Sequence, residues 1–220
     1  MISRAGLVVI LVLLSLVTTT GPATSQTPIG TALYTVRVDP RLCPSPLCGG
    51  YWVALANGTR TRCADGKRSA RCYVAKAVDE DRAPLGVSVP DGALVRADIE
   101  LSIYEGIGSL GVLVVAVVYS PAGTAPVSGG YYRIIDTGIR CIRAPCFSYR
   151  ATQLNGSTRT TLSDVDLSSA RATSAEVARA DAALRTKNGL LARGRFARTT
   201  DGGRVFRALR LYLRAPQPRA

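Results

Sequence analysis

Six cysteines carry the most evident chemistry in this 220-residue chain: Cys43, Cys48, Cys63, Cys72, Cys141 and Cys146. Four of them form a C-x4-C pair that occurs twice, 98 residues apart, as CPSPLCGGYWVALANG (43–58) and CIRAPCFSYRATQLNG (141–156). Cysteines at such spacing can hold zinc, cycle between thiol and disulfide, or form permanent bridges. Zinc is the weaker reading, because the spacing is C-x4-C, no histidine completes a ligand set and the N-terminus indicates an oxidising compartment. A redox role for Cys63 and Cys72 is disfavoured because the pair is not C-x-x-C. An even count in an exported chain favours disulfides. The second copy holds only Cys141 and Cys146, so a bridge within it joins those two. By analogy Cys43 pairs with Cys48, which leaves Cys63 for Cys72. The zinc reading is set aside and no metal ligand is assigned.

Histidine is absent altogether. That removes Ser-His-Asp and Cys-His nucleophiles, HExxH zinc sites and histidine pH sensing. The remaining acid–base candidates are carboxylates: Asp164 with Asp166, two apart on one strand face, and the run Asp79, Glu80, Asp81. Neither set has the ligand density or glycine pattern of a calcium loop, and both read as solvated charge. No catalytic residue and no cofactor is assigned. Asn57-Gly58-Thr59 and Asn155-Gly156-Ser157 match the N-glycosylation pattern, but a two-residue hairpin turn accounts for each Asn-Gly without a sugar.

The elements that carry these residues follow from the repeat. Residues 1–25 read as a secretory signal peptide, with Arg4, a short apolar run from Leu7 to Val17, and small residues Ala23-Thr24-Ser25 at the cleavage position; an uncleaved anchor is the competing reading. Residues 26–33 lead into the first copy. Tyr34 matches Tyr132, Tyr51 matches Tyr149, and Asn57-Gly58 matches Asn155-Gly156, all at one offset. Between the copies, SPAGTAPVSGG (120–130) reads as a linker. The organisation expected is therefore two small β domains, 31–119 and 131–215, and a tail at 216–220. Each has strands at 34–39 and 51–56 or their equivalents, a turn at Asn-Gly, a third strand and a closing pair. The third strand of the first copy is interrupted by ADGKRSAR. The second copy adds a helix near 174–187, capped by Thr173 with Glu176 as a capping box; in the first copy that slot, DEDRAPLGVSVPDG, reads as a loop. The fold class is mainly β: tandem five-stranded domains in the β-β-β-α-β-β order of an OB-like barrel or a related small barrel or sheet. GVLVVAVVY (111–119) is apolar on both faces and needs cover on both, which the second domain or a partner would supply.

SPLCGGY (45–51), TRCADG (61–66), CYVA (72–75) and DTGIRCIRAPC (136–146) resemble a family of exported bacterial proteins known only as a domain of unknown function. The resemblance is most specific over 34–75 and spans most of the chain after the leader. It implies export and the cysteine framework, and it implies no mechanism.

Charge supplies the functional expectation. The formal net charge is +13, and it is lopsided. Residues 26–130 hold 10 basic and 9 acidic side chains, whereas 131–220 hold 17 and 6. In the last strand Arg204, Phe206, Arg210, Tyr212 and Arg214 share one parity with Ala208, and so predict a face of arginine interleaved with aromatics. Arg193 and Arg195 share a face of the preceding strand, and Arg140, Arg143 and Arg150 flank the second cysteine loop. The bland alternative is an arginine-rich coding background, with 25 arginines to 3 lysines, although that leaves the shortage of acids unexplained. The function expected is a secreted or periplasmic, non-enzymatic binding or envelope-associated module whose basic second domain contacts an anionic polymer or surface. No nucleic acid partner is expected in vivo, and no transmembrane helix remains once the signal is removed. The alternatives are a peptidase inhibitor using the disulfide-closed loop Pro44–Leu47 as bait, and a histidine-free enzyme acting through carboxylates such as Asp164.

Overall fold

A computed structural model describes Gly30 and residues 32–216. The expected leader over 1–25 lies outside the described residues, as does the tail beyond 216. The first copy builds β1 (Ala32–Val38), β2 (Tyr51–Leu55), the short β3 (Thr61–Arg62) and β4 (Arg68–Ser69), then β5 (Cys72–Val78), β6 (Leu94–Tyr104) and β7 (Gly108–Ala122). The second builds β8 (Gly130–Asp136), β9 (Tyr149–Gln153), β10 (Arg159–Leu162), β11 (Asp164–Asp166), helix α1 (Ser174–Leu184), β12 (Leu190–Arg198) and β13 (Arg204–Arg214). Among the described residues the molecule is mainly β with one α-helix, as its patterning predicts.

In the first copy β1 pairs β2 and β6, β2 pairs β5, β5 runs parallel to β7, and β7 returns to β6. The five strands therefore close a ring of the OB type, the third and fifth strands being the parallel pair. Alternate residues point inward, so Val36, Val53, Val74, Val95, Leu113 and Val115 form its core. The Cys63–Cys72 bridge closes the β3–β4 excursion against that core. The second copy repeats the circuit: β8 pairs β9 and β12, β9 pairs β10, and β11 runs parallel to β13, which pairs β12. Its third strand is broken once, at Ser163. Helix α1 has the expected capping box, Glu176 N–H donating to Thr173 Oγ1 and Thr173 N–H to Glu176 Oε2. It buries Ala180 and Leu184 in the second core. The first ring fills the same slot with irregular chain bearing Leu85, Val87 and Val89.

The two rings are not separate in their hydrogen bonding. The end of β7 pairs antiparallel with the end of β13, Ala122 opposite Leu211 and Tyr119 opposite Arg214. The stretch 120–130 is therefore strand through Ala122 rather than free linker. Composition marks it as a loop, but β13 offers an unpaired edge there. Residues 123–129 form a fastened strap: Thr124 and Ala125 donate to Ala170 O, and the strap passes β12 so closely that a Cβ on Gly129 would lie 2.0 Å from Gly194 O.

This junction has an approximate twofold. Ser120 opposite Leu213 lies on it, and the flanking pairs Tyr119–Arg214 and Pro121–Tyr212 exchange under it. Ala122 packs in the second core and Ala215 against the first. Asn57 Nδ2 donates to Tyr131 O and Leu154 O while its Oδ1 accepts from Tyr131 N–H. Asn155 makes the matching set with Leu33 and Ala56, residues 98 positions earlier. The Asn-Gly turns thus differ from the expected two-residue hairpin. Asn57 (φ 64°) and Asn155 (φ 55°) are left-handed, but the following glycines are not. Each asparagine is held in the third position of a turn closed by Gly58 N–H to Leu55 O or Gly156 N–H to Gln153 O. Both sequon amides are committed across the junction.

The outer face of β7 is covered within the molecule. Val112 and Val114 cluster with Val78, and Val117 lines a depression with Ala182 and Ala183 of α1.

Candidate functional site

The second ring presents a basic surface on the outer face of β8, β9 and β10. Ile134, Ala151 and Leu162 point into the core, so strand alternation turns their neighbours outward. Register places Arg133 opposite Thr152 and Thr152 opposite Arg159, one row across three strands, with Ile135, Arg150 and Thr161 in the next row. Neighbouring strands lie about 4.8 Å apart, so Arg133 and Arg159 stand roughly 10 Å apart at their backbones, on either side of the Thr152 hydroxyl. Lys187, just beyond α1, completes the rim of a shallow depression of about 190 Å³. All four cations are exposed, and none has an ion pair or side-chain hydrogen bond among the described residues. In water, like charges at about 10 Å repel by only about 0.4 kcal/mol. The cluster therefore costs the fold little while leaving its N–H groups open to an anion.

The candidates read from sequence are dispersed. Arg150 belongs to this surface. Arg140 is bound by Asp136, Nη1 to Oδ1 at 3.0 Å and Nη2 to Oδ2 at 2.7 Å. That bidentate pair, helped by Gly138 N–H, holds the Asp136 carboxyl down at about 2. Arg143 is exposed on the loop closed by Cys141–Cys146, where Ile142 is fully exposed. Arg193 donates to Gly129 O at 3.1 Å and to Tyr131 Oη at 3.2 Å, and stacks on the Tyr131 ring. Arg210 donates to Gly123 O and Ala125 O. Those two arginines fasten the strap. Arg195 is exposed, Arg204 is half-buried beside Ser163, and the Arg214 carbonyl accepts from Arg179.

Phe206 and Tyr212 do not form an outward aromatic face. Phe206 is wholly buried in the second core, and Tyr212 is buried in the junction with Ala56, Leu94, Leu154 and Leu191. The physical reason is a β-bulge. Arg193 pairs Arg210 and Gly194 pairs Ala208, which leaves Leu209 unmatched. Inward parity is even at Phe206 and Ala208 and odd at Leu211 and Leu213. Ala116 is the equivalent extra residue in β7. Burial pushes the Tyr212 phenol well above its ordinary value, and Tyr131 adds to the shift.

Arg133, Arg159 and Lys187 are not among the sequence candidates. Laying β8, β9 and β10 side by side from the repeat and marking alternate residues would have found the two arginines; Lys187 needed the path of α1.

A second recess lies on the far side of the junction and is lined by Arg37, Arg71, Arg193 and Arg210 with Trp52 and Tyr131, about 330 Å³ in volume. Asp91 is the only acidic residue on it.

The three bridges are those the repeat indicates: Cys43–Cys48, Cys63–Cys72 and Cys141–Cys146. At the root of the first cysteine loop Asp39 is bidentate to Arg41 and accepts from Trp52 Nε1 at 3.3 Å, with Arg41 lying over the Trp52 and Tyr73 rings. Within the loop, Pro44, Pro46 and Leu47 offer their carbonyls to Leu47 N–H, Tyr73 Oη and Arg41. The carboxylates are similarly engaged. Asp166 accepts from Ser168 and Ser169, whose hydrogen bonds outweigh its burial and lower its pKa. Asp79 accepts from the Asp81 and Ala83 N–H groups and shapes a turn.

No curated protein and no solved structure matches the chain. The profile of a family described as Domain of unknown function (DUF6748) matches residues 32–217, and the chain belongs to that family.

Proposed function

We propose that this is an exported, non-enzymatic binding protein that docks on an anionic polymer or surface through the outer face of its second ring. The observation that carries the reading is the row Arg133–Thr152–Arg159 with Arg150 and Lys187: four cations on one depression, unpaired among the described residues, two of them, Arg150 and Arg159, on the second and third strands, where OB-type rings take extended ligands. Three disulfides and a leader-like N-terminus support an oxidising destination. In that setting cell-surface polymers and lipid headgroups come before cytoplasmic nucleic acid as partners.

The test is elution of the leader-free protein from a sulfated or phosphorylated matrix as salt rises. Each phosphate-type contact contributes about 0.7–0.9 to the log–log salt slope. The variant R133Q/R150Q/R159Q should lose about 2–3 units of slope and elute earlier. R171Q/R195Q/R198Q removes the same charge from the same ring, off this face, and should elute close to wild type. Equal losses in both variants would make the attraction one of net charge alone and end the proposal.

A further inference from the structure

We infer a second, separate binding site: the recess between the rings takes a small molecule with an oxyanion head, phosphate or carboxylate, and a ring-bearing body. The inference does not rest on the polymer surface, with which it shares no residue.

Four guanidinium groups converge on a volume of about 330 Å³, a size suited to a small ligand. Two of them are already fixed in place. Arg193 is tied to Gly129 O and Tyr131 Oη, and Arg210 to two strap carbonyls. Their partners are neutral, so the positive charge is positioned but not cancelled. Each guanidinium has five N–H donors, and these contacts leave most of them free. Arg37 on β1 and Arg71 ahead of β5 are exposed and have no partner among the described residues. Asp91, the one acid on the lining, already accepts from Val38 N–H at 3.0 Å. Charge-assisted hydrogen bonds to a phosphate or carboxylate are the interaction such a set forms. Trp52, one face of which lies under Arg41, lines the recess as a flat contact for the body of the ligand, and the Tyr131 ring backs the Arg193 guanidinium.

The approximate twofold provides an internal comparison. Across it lies the recess formed by Leu33, Arg96, Tyr119, Arg133 and Thr152 among others. Strand register makes Arg96 the counterpart of Arg193, and Tyr119 that of Tyr212. By the same register Arg210 is matched by Val117, Arg37 by Ile135 and Tyr131 by Leu33. The other side has cations of its own, Arg133 and Arg150 at the positions of Thr35 and Trp52, but Arg37, Arg210, Trp52 and Tyr131 come together on this side alone. The fold does not require them there.

Trp52 is the only tryptophan in the chain, so its fluorescence reports on this recess. The experiment titrates the leader-free protein with phenyl phosphate, benzoate, inorganic phosphate and phenol, with calorimetry as a readout independent of the indole. A saturable signal at or below about 1 mM is expected for phenyl phosphate or benzoate, weaker for phosphate and absent for phenol. The first two probes decide between a phosphate and a carboxylate head. R37Q/R71Q, whose side chains hold nothing else, should weaken binding about tenfold or more, while R133Q/R150Q/R159Q should bind as wild type. The site is refuted if neither readout saturates with any oxyanion by about 10 mM. It is equally refuted if R37Q/R71Q binds unchanged, or if the outer-face variant is the one that loses binding.

Discussion

Asp136 and Arg140 set the acid limit of the second cysteine loop. The folded-state pKa of Asp136, about 2, lies below the ordinary value of about 3.9 for an unfolded aspartate. Its contribution to stability is therefore fully present above about pH 4 and is lost as pH falls toward 2. Arg140→Gln should lower the urea midpoint at pH 7 and leave it nearly unchanged at about pH 2, so the gap between variant and wild type closes with acid. A gap that stays constant would show that Arg140 acts by packing alone. A second prediction at this scale concerns the asparagines. Asn57 and Asn155 each make three hydrogen bonds across the junction from a left-handed backbone. Either Asn→Ala change should destabilise by about 2–4 kcal/mol, from lost bonds at about 1 kcal/mol each plus about 1 kcal/mol for an alanine at positive φ. Asn→Gly removes only the first part and should recover about 1 kcal/mol in the same chemical melt.

Among the elements, β13 decides the layout of the second ring, and its bulge at Leu209 is what turns Leu211 and Leu213 into the core. Deleting Leu209 would restore simple alternation from Ala208 to Arg210 and leave Leu211 and Leu213 facing the core, because Leu209 is the residue that has no partner. Retention of cooperative thermal unfolding by circular dichroism is the expected result, and a lost transition would show that the bulge itself, through the bend it gives β13, is needed to close the ring. This element also shows the limit of reading the chain alone. The bridges, the strand order and the helix with its Thr173–Glu176 box were legible, because spacing and local capping chemistry encode them. The outward face of β13 was not. A single unmatched residue inverts parity without any local signature, since Leu209 is apolar like its neighbours. The partnered state of Arg193 and Arg210 was equally hidden, because their acceptors are carbonyls of a distant strap. Arg133 and Arg159 become a site only when three strands are laid in register. The repeat predicted those strands; the pairing that joins the two rings through β7 and β13 was not in it.

At the scale of the whole molecule, the chain folds like a symmetric dimer whose two subunits have been joined. The interface is self-complementary: Asn57 does for the second ring what Asn155 does for the first, and each closing strand ends in the core region of the other ring. Isologous contacts of this kind normally relate separate subunits. Six side-chain hydrogen bonds, a ladder of four residue pairs and the apolar cluster around Leu94 and Tyr212 hold it together. The six alone are worth about 6 kcal/mol, so the covalent strap contributes mainly by keeping the rings at a high effective concentration. A protease site inserted between Pro126 and Val127 and then cut should therefore leave both fragments eluting as one particle at micromolar concentration. The same cut in N57G/N155G should release them. Residues 30–126 made alone should self-associate or aggregate, because Leu33, Ala56, Leu94 and the free edge of β7 would all be uncovered. A soluble, monomeric fragment would mean that the junction joins two self-sufficient rings, and the recess between them would then depend on the strap rather than on the fold.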